Sequence, residues 1–594
     1  MARLSVWTKV FASGRTWIDG PDGYYHLRRA FLTLQRWPRV PLTDSFMSVP
    51  SGSRISWPPL FDGLLATLAL PWRASAPIAS LERIGALLPA ILGVLQVALI
   101  VILTRLLASH RAALIAGACA AFFPTLVRYT LLGTLDHDPF FECTLLLALI
   151  GIAAAPRRGS IAAVTAGITL AILGWAGSIV GVAIVAAFAL ARAFTSSSET
   201  RIEIGRALFL ANVIAAGIAL PFVMASPWEG ATFEGLSWFH ETALLGAAAA
   251  GAAIAWRDRR VAIGGAIALL GAIALLPISL LPALRGLLYA GGHAPIFAGV
   301  AETQPLLFLF GRFDLWPALI RFGFLPLLAV VALRRKAQLP LATWCIVALG
   351  LALLHSRFSY TAATPLCIAA GIAVDELLAA HSRIRVAIMS ALMIAPTLIA
   401  YLPIPGFAAF NFYERTTPIL SSAAPGACDF LRSVAAEDPA LRNPYVQPAW
   451  SVLAPWYHGH WIMWIGQRAT VINPMLSVGQ PAFDDGMRFF VRAGESNAME
   501  IVQRHHVRYV VVTPDLASLP TQAAMIGSEP PQDLREAMHV LPMHLAYWGA
   551  SEVRAFGDTY PALPFDEVWR SREVRPGPFG LVPLMRVYRV RSAV

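Results

Sequence analysis

Between residues 83 and 403, apolar runs of about membrane length follow one another, separated by polar breaks. A helix that crosses a bilayer needs about 20 mostly apolar residues. The composition agrees, because 57% of the residues are hydrophobic and 14% are charged, whereas soluble domains carry about a quarter charged residues. We therefore predict a polytopic α-helical membrane protein of about twelve helices, with spans near 83–107, 111–129, 139–155, 160–177, 178–194, 205–225, 240–256, 261–283, 316–333, 338–354, 358–379 and 384–403.

Small groups of basic residues follow every second run, so they lie in alternate loops. The positive-inside rule assigns such loops to the cytoplasm, which leaves the other loops and the tail after residue 404 extracytoplasmic. The same distribution accounts for the net charge of +11, and we therefore expect no nucleic-acid partner. The groups are Arg105 with Arg111, Arg157 with Arg158, Arg192 with Arg201 and Arg206, Arg257 with Arg259 and Arg260, Arg334 with Arg335 and Lys336, and Arg383 with Arg385.

This topology predicts three regions. Residues 1–82 form a first outer loop, residues 83–404 a transmembrane domain, and residues 405–594 an extracytoplasmic α/β domain. Alternation and β-branching over 507–513 predict a strand in that last domain. Because the run at 83–107 enters from outside, we expect a further transmembrane helix to precede the first loop in the natural chain.

A sparse set of acidic residues lies in the predicted outer loops. Asp136 and Asp138 stand two apart in a polar stretch between two apolar runs, and Asp22 and Glu302 occupy separate loops on the same side. Carboxylate oxygens are the usual ligands of hard divalent cations, so these four side chains are candidate metal ligands. The alternative for Asp136 and Asp138 is a pair of solvated acids at a helix N-terminus.

Arg357 opens a predicted span on this same outer side. Its guanidinium fork matches the geometry of a phosphate, although an arginine that reaches from the membrane to the interface is the alternative. A carboxylate-bound metal beside a phosphate-binding arginine suits a reaction with a phosphate or pyrophosphate leaving group.

Five segments resemble, in order along the chain, motifs of the oligosaccharyltransferase catalytic subunit family. Members of that family move a glycan from a lipid carrier to asparagine. The second segment is closest to the Asp-His-His form common in archaeal members. The segments are Asp22-Gly-Tyr-Tyr-His-Leu-Arg for the first acidic motif, Gly133-Thr-Leu-Asp-His-Asp138 for the second, Ala301-Glu-Thr-Gln-Pro305 for the glutamate motif, Arg357-Phe358 for the donor arginine, and Trp456-Tyr-His-Gly-His-Trp-Ile462 for the Trp-Trp-Asp-Tyr-Gly block.

The resemblance implies a GT-C type glycosyltransferase fold of thirteen spans, of which those above are the second to the thirteenth. It implies that Mn²⁺ or Mg²⁺ is held by Asp22, Asp136, Asp138 and Glu302. Asp22 and Glu302 would also act catalytically on the acceptor nitrogen, and Arg357 would bind the phosphate of a polyprenyl donor. Transfer would invert the anomeric configuration.

The implied partners are a lipid-linked glycan, an acceptor polypeptide and the bilayer, with the enzyme acting as a single subunit. The implied location is the plasma membrane, with a multi-pass chain whose active site and C-terminal domain face outward.

One position departs from the family pattern. The family recognises a Ser or Thr hydroxyl two residues after the acceptor asparagine through the aspartate of Trp-Trp-Asp, and this chain has Tyr457 at that place. Trp456, Tyr457 and His458 remain the acceptor-recognition candidates, because Tyr and His side chains also hydrogen-bond hydroxyls.

Two alternatives to asparagine transfer therefore stay open. One is the same donor and fold with a hydroxyl, lipid or polymer acceptor. The other is a transporter or flippase of lipid-linked sugars. Transporters place ionisable residues near the bilayer midplane, whereas the acids here lie mainly in outer loops, so the sequence favours an enzyme.

Overall fold

The computed structural model describes residues 2–256 except 229 and 234, 299–380 except 310, 423–475, 480–591 except 493, and a few positions between 384 and 402. Helices dominate up to residue 379, and a mixed α/β region follows from residue 423. The helices longer than one turn in the first part are α1 (Pro21–Gln35), α2 (Leu60–Ala69), α3 (Pro77–Leu107), α4 (His110–Phe122), α5 (Pro124–Tyr129), α6 (Asp138–Ala154), α7 (Ser160–Gly174), α8 (Ile179–Phe194), α9 (Ser198–Ala225), α10 (Trp238–Ala255), α11 (Trp316–Phe322), α12 (Leu325–Ala332), α13 (Leu339–Leu354) and α14 (Ser359–Ala379).

Within these described parts of the chain, five helical segments are long and apolar enough to cross a membrane. The protein is therefore a membrane protein, and these five segments fall on predicted spans. The predicted division near 174–178 is also present, since α7 ends at Gly174 and a 3₁₀ turn precedes α8. The five segments are Pro77–Leu107, Ala176–Phe194, Ser198–Ala225, Lys336–Leu354 and Ser356–Ala379.

Two predicted spans differ from single helices. The run at 111–129 is broken at Phe123, which is extended, because the residue before a proline disfavours the α conformation and Pro124 follows. The run at 316–333 is broken at Gly323, which has φ +52°. The predicted span at 261–283 and most of that at 384–403 lie outside the described residues.

The C-terminal region (423–591) is organised on a four-stranded sheet. The strand order is β5–β6–β12–β9, with β5 parallel to β6 and the other two pairs antiparallel. The predicted strand near 507–513 is β6. The strands among the described residues are β1 (Thr43–Asp44), β2 (Ser53–Arg54), β3 (Phe308–Leu309), β4 (Arg312–Phe313), β5 (Ser451–Leu453), β6 (Val507–Val512), β7 (Val553–Ala555), β8 (Asp558–Tyr560), β9 (Phe565–Arg570), β10 (Val574–Gly577), β11 (Gly580–Pro583) and β12 (Arg586–Val590).

Seven further helices pack around this sheet. The five between residues 481 and 547 form a core with the sheet that includes Val510, Phe490 and Met538. The other two belong to the apolar cluster that contains helix α1. The helices are α15 (Ala424–Ser433), α16 (Gly459–Trp464), α17 (Pro481–Val491), α18 (Glu495–Arg504), α19 (Leu519–Met525), α20 (Leu534–His539) and α21 (Leu541–Tyr547).

The C-terminal region packs directly on helix α1. Phe31 of α1 and Trp464 of α16 belong to one apolar cluster, with ring centroids 6.2 Å apart. Arg28 of α1 donates to the Leu441 carbonyl at 3.2 Å, and the Trp464 indole donates to Glu82 at 3.0 Å. Helix α1, with Asp22 in its first turn, is thus held between the membrane helices and the C-terminal region.

Candidate functional site

The second acidic segment is fixed to the N-terminal segment through its backbone. The amide of Asp19 donates to the Gly133 carbonyl at 2.8 Å. Gly133 has φ +84°, and a Cβ there would lie 2.8 Å from Val10 and 3.2 Å from the Trp17 carbonyl oxygen. The close approach and the left-handed backbone both require glycine at this position, and together they bring Asp136 toward helix α1.

The imidazole of His26 is oriented by two buried charged residues. Nδ1 of His26 lies 2.6 Å from an Asp62 carboxylate oxygen, and the other oxygen of Asp62 accepts from Arg29 at 2.9 Å. A carboxylate that accepts from one ring nitrogen fixes the direction of the other nitrogen, as in metal-binding histidines, and a metal bound at Nε2 would displace the proton there. Trp57 stacks on the ring at 4.0 Å, so the orientation of Nε2 is fixed.

Three potential donor atoms converge where Nε2 of His26 points. His26 Nε2 lies 3.4 Å from His137 Nδ1 and 3.9 Å from Asp136 Oδ1, and His137 Nδ1 lies 3.0 Å from the same oxygen. Among the described residues, these form the group of three or more His, Cys, Asp or Glu side chains whose ligand atoms all lie within 4.8 Å of one another. Its two imidazoles and one carboxylate can act as ligands for a divalent cation.

The electrostatic environment acts differently on the three members of this cluster. Burial opposes protonation of His26, but Asp62 and Asp136 outweigh burial and raise its pKa to about 9. Burial also opposes ionisation of Asp136, yet the two histidines and the His137 amide, 2.6 Å from Asp136 Oδ1, hold its pKa below the ordinary value. Burial lowers the pKa of His137 to about 4. The site thus combines an ionised carboxylate with a neutral imidazole.

The other predicted acids lie around this cluster. Asp138 is buried at the start of α6 and is within electrostatic range of Asp136 and Glu302. Arg357 pulls the pKa of Glu302 down, but desolvation and neighbouring carboxylates outweigh it and raise the pKa overall. Those carboxylates are Asp22 and Asp136. The fold thus brings the predicted acids of three separate segments to one place.

Arg357 lies on the opposite side of the site, in the 3₁₀ turn that precedes α14. Its Nη2 is 3.7 Å from a Glu302 carboxylate oxygen, and its guanidinium lies 5.1 Å from the centroid of the Trp175 ring. Trp175 in turn stacks on His137 at 5.3 Å. A single indole therefore connects the phosphate-binding candidate to the metal-binding candidates.

The C-terminal region reaches the site through the turn Trp456–His458 and helix α16. Nδ1 of His460 lies 3.5 Å from Asp22 Oδ1. His460 is fully buried and stacks on Tyr25 at 4.9 Å. The predicted acceptor-recognition residues Trp456, Tyr457 and His458 precede it immediately, and the rings of Tyr457 and His458 are 4.4 Å apart.

Sequence reasoning missed three histidines of this site. His26 follows Asp22 by four residues, which places both on one face of a helix, so its role was detectable once α1 was recognised. His137 stands between the two aspartates already singled out. His460 had no local signal, because its position near Asp22 depends on how the C-terminal region packs against α1.

The donor set allows a more specific statement about the metal. Imidazole nitrogens suit Zn²⁺ and Fe²⁺, carboxylate oxygens suit Mn²⁺, and Mg²⁺ prefers oxygen ligands throughout. The residues present therefore fit a divalent transition metal. The prediction that Asp22, Asp138 and Glu302 complete the ligand set stays a prediction.

Two family models match the chain. The model described as Oligosaccharyl transferase STT3, N-terminal, covers residues 1–408. The model described as AglB core domain covers residues 424–517. The first spans the predicted membrane helices and four of the five motif segments, and the second spans the Trp456–Ile462 segment.

Comparison with individual proteins also identifies oligosaccharyltransferases as relatives of this chain. The chain is 25% identical over 542 residues to dolichyl-phosphooligosaccharide-protein glycotransferase 1 of Archaeoglobus fulgidus, covering 86% of this chain and 85% of that protein. The predicted glycosyltransferase activity is confirmed by this relationship together with the family match.

Solved structures show the fold. One is an Archaeoglobus fulgidus oligosaccharyltransferase tethered to an acceptor peptide containing the NVT sequon, with a TM-score of 0.79, 18% identity, and coverage of 99% of this chain and 87% of that chain. Another is such an enzyme in complex with Zn and sulfate, with a TM-score of 0.67, 21% identity, and coverage of 90% and 70%. The predicted GT-C architecture with a C-terminal α/β region is confirmed.

Proposed function

Because the chain belongs to the STT3 family of oligosaccharyltransferases, we propose that it transfers a glycan from a polyprenyl phosphate or pyrophosphate carrier to asparagine in protein. Transfer takes place on the outer face of the membrane, requires a divalent metal and inverts the anomeric configuration. The enzyme acts as a single subunit in the plasma membrane.

One observation supports this reaction above all others. The Trp175 ring contacts both the Arg357 guanidinium and the His137 ring, and the Glu302 carboxylate of another segment lies 3.7 Å from Arg357. A leaving phosphate needs positive charge on its oxygens, and the attacking nitrogen needs an acceptor for its proton. Arg357 offers the first of these functions, and carboxylates near it offer the second.

We assign the donor side to Arg357. Its 3.7 Å contact with Glu302 is longer than a charge-assisted hydrogen bond of about 2.8 Å, so the fork can turn to a phosphate. Trp175 covers one face of the guanidinium and keeps water from that side, which strengthens its attraction for an anion.

We assign the acceptor side to Asp22 and Glu302. Both are about half exposed, at 45% and 49%, so a peptide can reach them. Two carboxylates that accept hydrogen bonds from the asparagine amide orient its nitrogen and take up its proton as the C–N bond forms. Nδ1 of His460 lies 3.5 Å from the Asp22 carboxylate, so the C-terminal region borders this acceptor side.

The metal is assigned to His26, Asp136 and His137, with Asp22, Asp138 and Glu302 as further candidates. When bound, a divalent cation supplies Lewis acidity that stabilises charge on the leaving group. The Zn complex of the Archaeoglobus fulgidus enzyme supports a metal in this fold.

An assay with two peptides tests the proposed function. The purified chain is incubated with a lipid-linked glycan, Mn²⁺ and fluorescent peptides that contain Asn-x-Thr or Asn-x-Ala. We expect glycosylation of the first peptide and little of the second. Transfer to neither, while the donor is still consumed, would contradict asparagine as the acceptor and favour the hydroxyl, lipid or polymer alternative that Tyr457 leaves open.

A further inference from the structure

We propose that Asp515 supplies the carboxylate that recognises the acceptor hydroxyl, and that Tyr457 assists it. The hydroxyl is that of the Ser or Thr two residues after the asparagine. This inference rests on the proposed function and assigns its sequon specificity to a residue outside the motif segments.

Sheet topology brings Tyr457 and Asp515 to the same edge. Strands β5 and β6 are parallel neighbours, with Leu453 opposite Val510. The chain leaves β5 toward Tyr457 and leaves β6 toward Asp515. The carboxyl ends of neighbouring parallel strands are the usual place for ligand-binding residues in α/β sheets.

Hydrogen bonds fix the loop after β6. The Tyr547 hydroxyl donates to the Pro514 carbonyl at 2.8 Å, and the Asp515 amide donates to the Thr513 carbonyl at 2.9 Å. The Asp515 carbonyl accepts from the Ser518 hydroxyl at 3.0 Å. The backbone that carries the Asp515 carboxylate is therefore held before any substrate arrives.

Tyr457 faces this loop. Its hydroxyl lies 3.5 Å from Thr513 Oγ1, two residues before Asp515, and within electrostatic range of the Asp515 carboxylate. Burial, with a further contribution from Asp515, raises the pKa of Tyr457 to about 12, so the phenol keeps its proton. A substrate hydroxyl can donate to Asp515 while it accepts from Tyr457.

The distance from Asp22 suits a peptide in extended conformation. Tyr457 and His460 are three residues apart in a continuous helical segment, which corresponds to ~5–6 Å along the axis. His460 lies beside Asp22. In an extended peptide, residues two apart are separated by ~6.6 Å and point to the same side. An asparagine at Asp22 thus places the second following residue near Tyr457 and Asp515.

The loop that carries Glu302 borders the same face of the C-terminal region. A Cβ on Gly299 would lie 2.4 Å from Sδ of Met525 in α19, and both Val300 and Trp456 pack on the core of that region. Tyr457 and Asp515 therefore lie near the loop that carries Glu302 and near His460, the neighbour of Asp22.

Substitution of Asp515 tests this assignment through peptide preference. The full-length enzyme and Asp515→Ala are assayed with Asn-x-Thr and with Asn-x-Val, which has the same shape but no hydroxyl. We expect kcat/KM for the Thr peptide to fall about 10- to 100-fold, the range of a hydrogen bond to a charged group, with no change for the Val peptide. For Asp515→Asn, which keeps an acceptor oxygen, kcat/KM for the Thr peptide should fall less. Tyr457→Phe should also reduce the preference for the Thr peptide over the Val peptide.

Glu529→Ala is the matched control, because Glu529 is an exposed carboxylate of the same region. It should keep the wild-type preference. If Asp515→Ala and Asp515→Asn both retain the full Thr preference, the assignment to Asp515 is wrong while the proposed function stands. If the wild-type enzyme glycosylates neither peptide, the proposed function and this inference are both contradicted.

Discussion

At the scale of single residues, Arg357 shows how one side chain links the two halves of the site. It contacts the indole of Trp175 and the carboxylate of Glu302, and both neighbours face other site residues. The guanidinium is 26% exposed, which leaves part of it accessible to a ligand. Its planar fork, rather than its charge alone, matches a phosphate.

We predict that Arg357→Lys raises the KM for the lipid-linked donor about 10-fold or more, since lysine keeps the charge and loses the bidentate geometry. Arg357→Ala should have a larger effect. Steady-state kinetics with donor and acceptor varied separately measure both, and Arg206→Lys on an exposed helix face is the control. Equal increases in donor and acceptor KM would count against a phosphate role.

His26 provides a second test at this scale. Because its Nε2 points at Asp136 and His137, we predict that His26→Ala raises the Mn²⁺ concentration for half-maximal activity about 10- to 100-fold, as losses around metal sites do. The rate at saturating metal should fall less. A metal titration of activity shows this, and His544→Ala, another buried histidine, should leave the titration unchanged. An unchanged titration for His26→Ala would remove it from the ligand set.

At the scale of elements, helix α1 positions Asp22 and His26 together. Arg28 of α1 forms a fully buried bidentate ion pair with Asp44, with both N–O distances 2.8 Å. The same arginine donates to the Leu441 carbonyl of the C-terminal region. Removal of one partner leaves an uncompensated buried charge, which is far more costly than loss of an exposed pair.

We predict that Asp44→Ala lowers the free energy of unfolding by about 3–5 kcal/mol. The double substitution Arg28→Met with Asp44→Leu should recover much of that loss, because it removes both charges and restores apolar volume. Unfolding in detergent, followed by circular dichroism, measures the difference. A double variant no more stable than the single variant would show that hydrogen bonds of Arg28 to the C-terminal region dominate instead.

Prediction from sequence succeeded for elements whose signal is local. Runs of apolar residues identified α3, α9 and α14, and β-branched alternation identified β6. It failed where a proline or glycine interrupts an apolar run, as at Phe123–Pro124 and Gly323, because hydropathy averages over the break. Helix α1 was not predicted at all, since its polar residues Arg28 and Arg29 are buried by partners that lie elsewhere in the chain.

At the scale of the whole molecule, the C-terminal region is attached to the N-terminal segment by a polar contact distant from the site. Nδ1 of His505 lies 2.7 Å from the Val49 carbonyl, and Nε2 lies 2.9 Å from Asp485. Arg504 also donates to Asp485 at 2.7 Å. Burial opposes ionisation of Asp485, but these two partners outweigh it and hold its pKa below the ordinary value.

The sign of the resulting pH dependence follows from this depressed pKa. An aspartate with a lowered pKa in the folded state stabilises it above the unfolded pKa of about 3.9, and the contribution is lost as pH falls through the folded pKa. We predict that Asp485→Asn lowers Tm at pH 7, and that the difference from wild type shrinks below pH 4. Thermal unfolding at both pH values measures it, and a difference independent of pH would contradict the account.

The convergence of the site could be predicted from sequence only as far as the sidedness of the loops. The alternating basic groups placed Asp22, Asp136, Asp138, Glu302 and Arg357 on one side of the membrane. The approach of particular donor atoms to within a few ångströms depends on tertiary contacts such as those of Asp62 with His26 and of Trp175 with His137. No spacing in the sequence encodes these contacts.

The most direct test of the central claim is the metal dependence of glycan transfer to an Asn-x-Thr peptide. We predict that chelation lowers the wild-type rate roughly 100-fold or more and that Mn²⁺ restores it. Asp136→Ala should be inactive in both conditions, with unfolding unchanged because Asp136 is partly exposed. Full transfer by the chelated Asp136→Ala protein would contradict a metal-dependent site built from these loops.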